Sequence, residues 1–263
     1  MRRNTIVSAA ILAALVFIVS GCMTVISPGI KIDPQSFGKK KKYAVVTIVG
    51  TKKLAAQKGL LQMFKGDIPE QDTQSILNKL RPELIKSFTR SKHLKIKPEK
   101  QVLGSKAYKK LKGEEPVQKV MFMKTELNTA KGYKFITDTE TLTRLAVDLK
   151  VDGVIIVSMN FSVSSGVAGG AGVGVKRFKV LAGVSAVAYD REGKVVWKDA
   201  VHQSSGLADS QLAVVADVRN VDFKKLKPHA VKAAKEGLKV LIQRFDDSME
   251  GKKVGSHVET VTP

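Results

Sequence analysis

Four histidines are the residues of this sequence best suited to metal binding or to acid–base chemistry. They are far apart in the chain, at His93, His202, His229 and His257. None belongs to a short metal-ligand spacing such as His-Glu-x-x-His. We therefore expect histidines at the surface or at strand edges, with no metal and no bound cofactor.

Paired carboxylates and paired serines are the next candidates for catalysis. The carboxylates at 114–115 and 246–247 are neighbours in sequence, so they point in different directions on a helix or a strand. The serines at 164–165 and 204–205 lack the Gly-x-Ser-x-Gly context of a nucleophile elbow. These patterns favour a protein that is not an enzyme, with an unrecognised hydrolase as the alternative.

A glycine-rich stretch from Gly166 to Gly174 (GVAGGAGVG) could let backbone N–H groups approach a phosphate. Val175 and Lys176 follow it, where a phosphate loop needs Lys and then Ser or Thr. The stretch also leads into a predicted strand, whereas a phosphate loop leads into a helix. We expect a flexible hairpin tip here.

The N-terminal residues have the order of an export signal. Arg2 and Arg3 precede an apolar segment at 6–19. At 1.5 Å per residue, this segment is too short to cross comfortably a bilayer core of about 30 Å. It therefore favours a signal peptide over a spanning helix. Small residues and Cys22, the only cysteine, come next.

The sequence Val19-Ser20-Gly21-Cys22 resembles the lipobox of bacterial lipoproteins. The resemblance implies cleavage before Cys22, a diacylglyceryl group on its thiol, and a further acyl chain such as palmitate on its new amino group. More than one acyl chain makes anchoring stable, and a thioether leaves no thiol for a disulfide. Met23 stands where Asp often signals inner-membrane retention, so we expect a cell-envelope protein anchored in the outer membrane and facing the periplasm.

The domain organisation predicted from these features has four parts. They are a signal peptide at 1–21, a lipidated N terminus with a flexible tether at 22–42, a single α/β domain at 43–250, and a flexible tail at 251–263. Pro28, Gly29, Pro34 and Gly38 interrupt any period in the tether, whose extended length would be on the order of 65 Å. The 43% hydrophobic content suffices for one core.

The net charge is +21, from 45 Lys and Arg against 24 Asp and Glu. Loss of residues 1–21 removes two arginines and no acid, which leaves +19. The lysines are scattered, and no nucleic-acid-binding motif accompanies them. We expect an envelope protein or an anionic cell-wall or lipid group as partner, and no nucleic acid. The run Lys39 to Lys42 is a solvated charge run or an added attraction to an anionic membrane, and the oligomeric state stays open.

Strands and helices alternate along the first half of the chain. Residues 43–49 (YAVVTIV) predict a strand buried on both faces. Residues 54–64 predict a short helix. Residues 73–90 predict an amphipathic helix with Asp72 as its N-cap and an interruption at Pro82.

The second half predicts the sheet and a closing helix. Thr137 to Glu140 matches a capping box at the start of a helix that ends near Lys150. Strands follow at 153–164, 179–189 and 194–201, the last two joined by a turn in which Gly193 can take positive φ. A long amphipathic helix spans 223–245. The fold class predicted is α/β, a mixed β-sheet with antiparallel C-terminal strands, flanked by amphipathic helices.

The strand YAVVTIV, the stretch LAVDLKVDGVIIVSM and the turn DREGKVVWKD, in this order, resemble the envelope lipoproteins whose domain is similar to the TolB amino-terminal domain. That group includes the curli secretion channel lipoprotein and the activator lipoprotein of penicillin-binding proteins. The resemblance covers roughly residues 43–248 and implies a mixed sheet covered by helices.

These observations favour a non-catalytic, membrane-anchored envelope lipoprotein that binds a partner as an accessory in envelope assembly, secretion or cell-wall synthesis. One alternative is a subunit of an oligomeric secretion pore, with residues 157–163 and 175–189 as its hairpin. The small residues along 180–188 favour instead a strand packed under a helix. The other alternative is an unrecognised envelope hydrolase.

Overall fold

The computed structural model describes residues 23–27, 29–38, 41–56, 71–120, 123–168, 175–205 and 223–261. The predicted signal peptide, the predicted lipidation site Cys22 and the glycine-rich residues 169–174 lie outside the described residues.

In chain order the strands are β1 (Met23–Ser27), β2 (Lys31–Ile32), β3 (Tyr43–Thr51), β4 (Lys53–Ala56), β5 (Gln71–Asp72), β6 (Val117–Val120), β7 (Met123–Thr129), β8 (Gly153–Ala168), β9 (Val175–Asp190), β10 (Val195–Ser205) and β11 (His257–Val261). The helices are α1 (Gln74–Arg90), α2 (Glu99–Leu103), α3 (Lys106–Lys110), α4 (Thr139–Asp148) and α5 (Phe223–Met249), with a 3-10 turn at Pro34–Phe37.

The central sheet has the strand order β2-β10-β9-β8-β3-β7-β6. β8, β9 and β10 run antiparallel to one another, while β3 lies parallel to β8. The turn between β9 and β10 has Gly193 at a φ of +81°, the region that glycine adopts without steric cost. The α/β fold class and the antiparallel C-terminal strands are thus confirmed.

Helices cover both faces of the sheet around β3. Every residue of β3 from Tyr43 to Gly50 is buried, as the apolar run 43–49 predicted. On one face, α1 and α5 pack on Val45, Ile48 and the buried side of β8 to β10. On the other face, α2, α3 and α4 pack on Ala44 and Val46.

The helix α1 runs through Pro82 without the predicted interruption. Leu80 and Leu84 on either side of Pro82 are fully buried in the core. Their packing holds the helix continuous despite the missing backbone N–H. The N-cap position is Thr73, one residue later than predicted, although the Asp72 carboxylate accepts the Gln74 N–H at 2.6 Å.

Two further local predictions are corrected. Asp138, not Thr137, caps α4, and its carboxylate accepts the Thr141 N–H at 2.7 Å. The predicted helix at 54–64 begins instead as the strand β4, because the edge of β8 beyond β3 offers pairing and Leu54 is buried in the core. Residues 57–64 lie outside the described residues.

The predicted tether and tail are both corrected where the structure describes them. β1 and β11 pair antiparallel, from Met23 with Val261 to Ser27 with His257. Phe37 is buried and stacks on Tyr43, with ring centroids 4.7 Å apart. Prolines and glycines broke any long period in these segments, and a strand of five residues is too short to reveal itself by periodicity.

The burial of α1 predicts a contrast between neighbouring positions. Leu84→Ala should lower the free energy of unfolding by about 2 to 5 kcal/mol, because Leu84 is fully buried and its loss leaves a cavity. Lys86→Ala, at an exposed position of the same helix, should stay within about 0.5 kcal/mol of the wild type. Urea denaturation measures both, and equal losses would contradict the assignment of the buried face.

Candidate functional site

The strands β1 and β11 form a two-stranded sheet, here called the terminal ribbon, next to β10. The strand β2 pairs only with Trp197 and Lys198 of β10. Among the described residues, side chains of the terminal ribbon contact β10 at His202 and Gln203. The ribbon therefore protects an otherwise open sheet edge, which proteins commonly cover to prevent unwanted strand pairing. Because β1 begins at Met23, this contact also places the residue that follows Cys22 in the sequence.

The junction between the terminal ribbon and β10 is polar. The Ser27 hydroxyl lies 2.8 Å from His202 Nδ1. On the opposite strand, His257 Nε2 lies 2.9 Å from the carbonyl oxygen of His202 and 3.0 Å from Gln203 Nε2. Each strand of the ribbon is thus fastened to β10 by its own hydrogen bonds.

A buried ion pair fixes the path of the chain into β11. Arg244 of α5 donates from Nε to Asp199 Oδ2 at 2.8 Å and from Nη2 to Asp199 Oδ1 at 3.0 Å. Its remaining nitrogen, Nη1, donates to the carbonyl oxygen of Gly255 at 2.9 Å. The Asp199 side chain is completely buried. One guanidinium therefore ties together α5, β10 and the segment that leads to the terminal ribbon.

The Ser27–His202 contact has the distance of a nucleophile and its general base. Burial, and secondly the neighbouring His257, lower the pKa of His202 below its usual 6.5, so the imidazole is neutral at pH 7. Ser27, however, has no exposed surface, and an attacking hydroxyl must reach its substrate. The pair therefore acts as a fastening between the ribbon and the sheet.

The other ring nitrogen of His202, Nε2, lies close to the backbone of Gly183 in the neighbouring strand β9. A Cβ atom on Gly183 would lie 1.9 Å from Asn160 Oδ1 and 2.9 Å from His202 Nε2. A side chain at position 183 would thus displace both groups. Gly183 is required here for packing on the polar face of the sheet.

The structure brings two of the four histidines together, His202 and His257, which are 55 residues apart in sequence. His93 lies 3.8 Å from Glu250 Oε1, and His229 Nδ1 lies 3.0 Å from the Ser205 hydroxyl. Within the ranges that the structure describes, no group of three or more metal-binding side chains could hold an ion.

The paired carboxylates point apart, as their adjacency predicted. Asp246 accepts the Ser91 hydroxyl at 2.5 Å, whereas Asp247 pairs with Lys252 at 2.7 Å. Glu114 accepts the backbone N–H of Thr137 at 2.6 Å. Burial works to raise the pKa of Glu114, but its hydrogen bonds outweigh this and lower it. These carboxylates hold loops and helix ends in place.

Sequence reasoning missed the ion pair, although one signal was present. Trp197, Asp199 and Val201 share a face of β10 by the two-residue period of a strand, and Trp197 and Val201 are apolar. A charged residue between two buried apolar neighbours requires a buried partner. Nothing in the sequence identifies Arg244 as that partner, because the two lie 45 positions apart.

A group of exposed basic residues lies on α1 and α5, here called the basic helix face. It is defined by exposed residues of the two helices, namely Lys79, Lys86, Arg90, Lys225, Lys232 and Lys239. None of these forms an ion pair with another described residue, whereas Lys235 pairs with Glu83 at 3.2 Å. This face is therefore available to an anionic partner.

Among the helices that the structure describes, none combines the length and the apolar character needed to cross a membrane.

No protein-family model matches the sequence, and no curated protein matches it. Among solved structures, the chain is similar to a hypothetical protein from Chlamydia trachomatis, with 9% sequence identity. The similarity covers 81% of this chain and 99% of that chain, with a TM-score of 0.36. A likeness of this size supports no conclusion about fold or function.

The buried ion pair predicts a large loss when one partner is removed. Arg244→Met should lower the free energy of unfolding by about 3 to 5 kcal/mol, because Asp199 is left buried without a counter-charge. Arg90→Met, on the exposed end of α1, is the matched control and should change it little. A chemical denaturation series compares the two, and a small loss for Arg244→Met would show that Asp199 finds another partner.

The depressed pKa of His202 predicts a dependence on pH. A histidine whose folded-state pKa lies below its unfolded value stabilises the fold above about pH 6.5, and this contribution is lost as the pH falls through the folded-state pKa. The free energy of unfolding should therefore fall between pH 7.5 and pH 5.5, and by less in His202→Gln. Paired denaturation curves at the two pH values measure this, and identical pH dependences would contradict it.

Proposed function

We propose that this chain is a non-catalytic, membrane-anchored envelope lipoprotein that binds a partner as an accessory in envelope assembly, secretion or cell-wall synthesis. The observation that carries the proposal is Val19-Ser20-Gly21-Cys22, directly after a short apolar segment and a basic start. Lipid on Cys22 would hold the protein on the outer membrane, facing the periplasm. Two or more acyl chains suffice for stable anchoring.

The position of β1 is compatible with this proposal. β1 begins at Met23, and Ser27 at its end is fastened to the sheet through His202. Cleavage between Gly21 and Cys22 would leave the whole of β1 in the mature chain. The processed protein would keep the terminal ribbon and its contacts.

The basic helix face supports an anionic partner. Exposed like charges on neighbouring helices raise the local potential and attract groups of opposite sign. Phosphates of envelope lipids, carboxylates of the cell wall and acidic proteins all fit this description. The resemblance to the TolB amino-terminal-like lipoproteins supports the accessory role rather than a particular partner.

The secretion-pore alternative has less support from the described residues. Its hairpin would need β8 and β9 to leave the domain. In a membrane hairpin, the apolar side chains of these strands would have to face lipid. They are instead buried in the core under α1 and α5, namely Val157, Met159, Phe161, Val163, Val180, Ala182, Val184, Ala186 and Ala188. The hydrolase alternative has no reachable nucleophile in Ser27, which is fully buried.

Replacement of the lipid acceptor tests the proposal. In cells grown with labelled palmitate, the wild-type chain should incorporate the label and stay with membranes after a salt wash. Cys22→Ser should incorporate none and should accumulate as an uncleaved precursor, because the thiol that receives the first lipid is gone.

The matched control keeps one cysteine in the chain but moves it. The double variant Cys22→Ser with Ser75→Cys, at an exposed position of α1, should also incorporate no label. Labelling of this variant, or no labelling of the wild type, would show that Cys22 is not a lipoprotein cysteine.

A further inference from the structure

We propose that the terminal ribbon is a membrane-docking surface, which lies flat against the bilayer that holds the acyl chains of Cys22. In this arrangement the domain sits directly on the membrane and does not hang from a tether. The inference rests on the proposed function, since it takes the lipid on Cys22 as given.

The outward side of the terminal ribbon carries two large apolar side chains. Ile26 is 66% exposed and Val258 is 53% exposed. They are direct cross-strand partners in the register of β1 with β11, so they form one continuous apolar contact surface. The other large hydrophobic residues that are exposed in the described chain are Val147 in α4 and Val195 at the start of β10.

The ribbon cannot turn these side chains inward. Successive side chains of a strand point to opposite faces, so the pair Ser27 and His257 faces away from the pair Ile26 and Val258. Ser27 and His257 are hydrogen-bonded to His202. The outward orientation of Ile26 and Val258 is therefore fixed by the fastening of the opposite face.

Because this apolar surface lies close to Cys22 in the chain, the bilayer is the partner that we expect it to contact. Ile26 is four residues beyond Cys22. At about 3.3 Å per residue of extended chain, at most about 13 Å separates them. Acyl chains on Cys22 must enter the hydrocarbon region. Apolar side chains this close to the acyl chains are within reach of the interface, where amphipathic helices bury their apolar face about 5 to 10 Å deep.

Exposed lysines on β10, the strand that holds the ribbon, on β2 and on the segment before β11 carry the charge that attracts anionic headgroups. Lys31 of β2 pairs in register with Lys198 of β10, and both are exposed. Lys253 is exposed four residues before β11. Basic groups next to an apolar contact surface are the combination that binds anionic membranes.

A fluorescent probe on the ribbon tests docking in the full, lipidated chain. Because Cys22 is the only cysteine and its sulfur is consumed by lipid, Val258→Cys creates one free thiol, which is labelled with an environment-sensitive nitrobenzoxadiazole dye. The protein is reconstituted into phosphatidylethanolamine–phosphatidylglycerol vesicles that contain spin-labelled lipid. We expect a blue shift of the emission and its quenching by the spin label.

Val147→Cys is the matched control, since Val147 is 57% exposed on α4, a helix that packs on β8 and β9. Its dye should show the emission of a water-exposed probe, without quenching. Adding Ile26→Ser to the Val258→Cys chain should reduce the quenching at position 258, with palmitate incorporation unchanged. Equal quenching at 147 and 258 would overturn the proposal.

The outcomes separate docking from lipidation. Palmitate incorporation without quenching at position 258 overturns docking and leaves the lipoprotein proposal intact. No palmitate incorporation by the wild-type chain overturns both proposals. A blue-shifted dye at 258 that the spin label does not quench, together with disulfide cross-linking of two unlabelled Val258→Cys chains, assigns the surface to a second copy and overturns membrane docking.

Discussion

The contact of Arg244 with Asp199 is the constraint on which the C-terminal half of the molecule depends. The Asp199 side chain is fully buried and that of Arg244 is 10% exposed, so both groups lose most of their hydration when the chain folds. That loss is compensated only if the two meet in good geometry and the remaining donors are satisfied. The guanidinium meets both conditions, since it binds both carboxylate oxygens and the Gly255 carbonyl. The packing of α5 on the sheet and the exit of the chain toward β11 are therefore fixed by the same group.

The path beyond Gly255 links this interior contact to the outermost part of the fold. β11 pairs with β1 along five residues, and both strands are held to His202 at one end. The start of β1 is next in sequence to Cys22. The proposed lipid anchor thus directly precedes a ribbon that is hydrogen-bonded to the domain. The position of this ribbon depends on an ion pair in the core.

The two proposed contact surfaces follow different physical rules. The basic helix face offers solvated charges, so its attraction to an anionic partner weakens as salt screens it. The outward side of the terminal ribbon offers apolar area, whose burial is much less sensitive to salt. A protein with both surfaces can rest on a membrane by one and bind an anionic partner by the other.

The sequence by itself determined the α/β class, the buried strand β3, the helices α1 and α5, and the turn at Gly193. All of these depend on patterns among neighbours, which a periodicity of two or of about four residues reveals. Cys22 as the lipid acceptor likewise depends on adjacent residues alone, and it stays a prediction. Predictions from local patterns were wrong where tertiary packing competes with local preference. At Pro82, the buried Leu80 and Leu84 keep α1 continuous. Leu54 was predicted in a helix but lies in the strand β4.

Only the tertiary structure decided what the termini do. Residues 23–38 contain Pro34, Gly29 and Gly38, and their composition indicated a solvated linker. The partners of this segment lie far away in sequence, since Ser27 meets His202 across 175 positions. Pairing between such distant segments depends on loop closure and on the whole core that brings them together. No local sequence pattern reveals such pairing. The ion pair of Arg244 with Asp199 and the cross-strand pair of Ile26 with Val258 are therefore seen only in the folded chain.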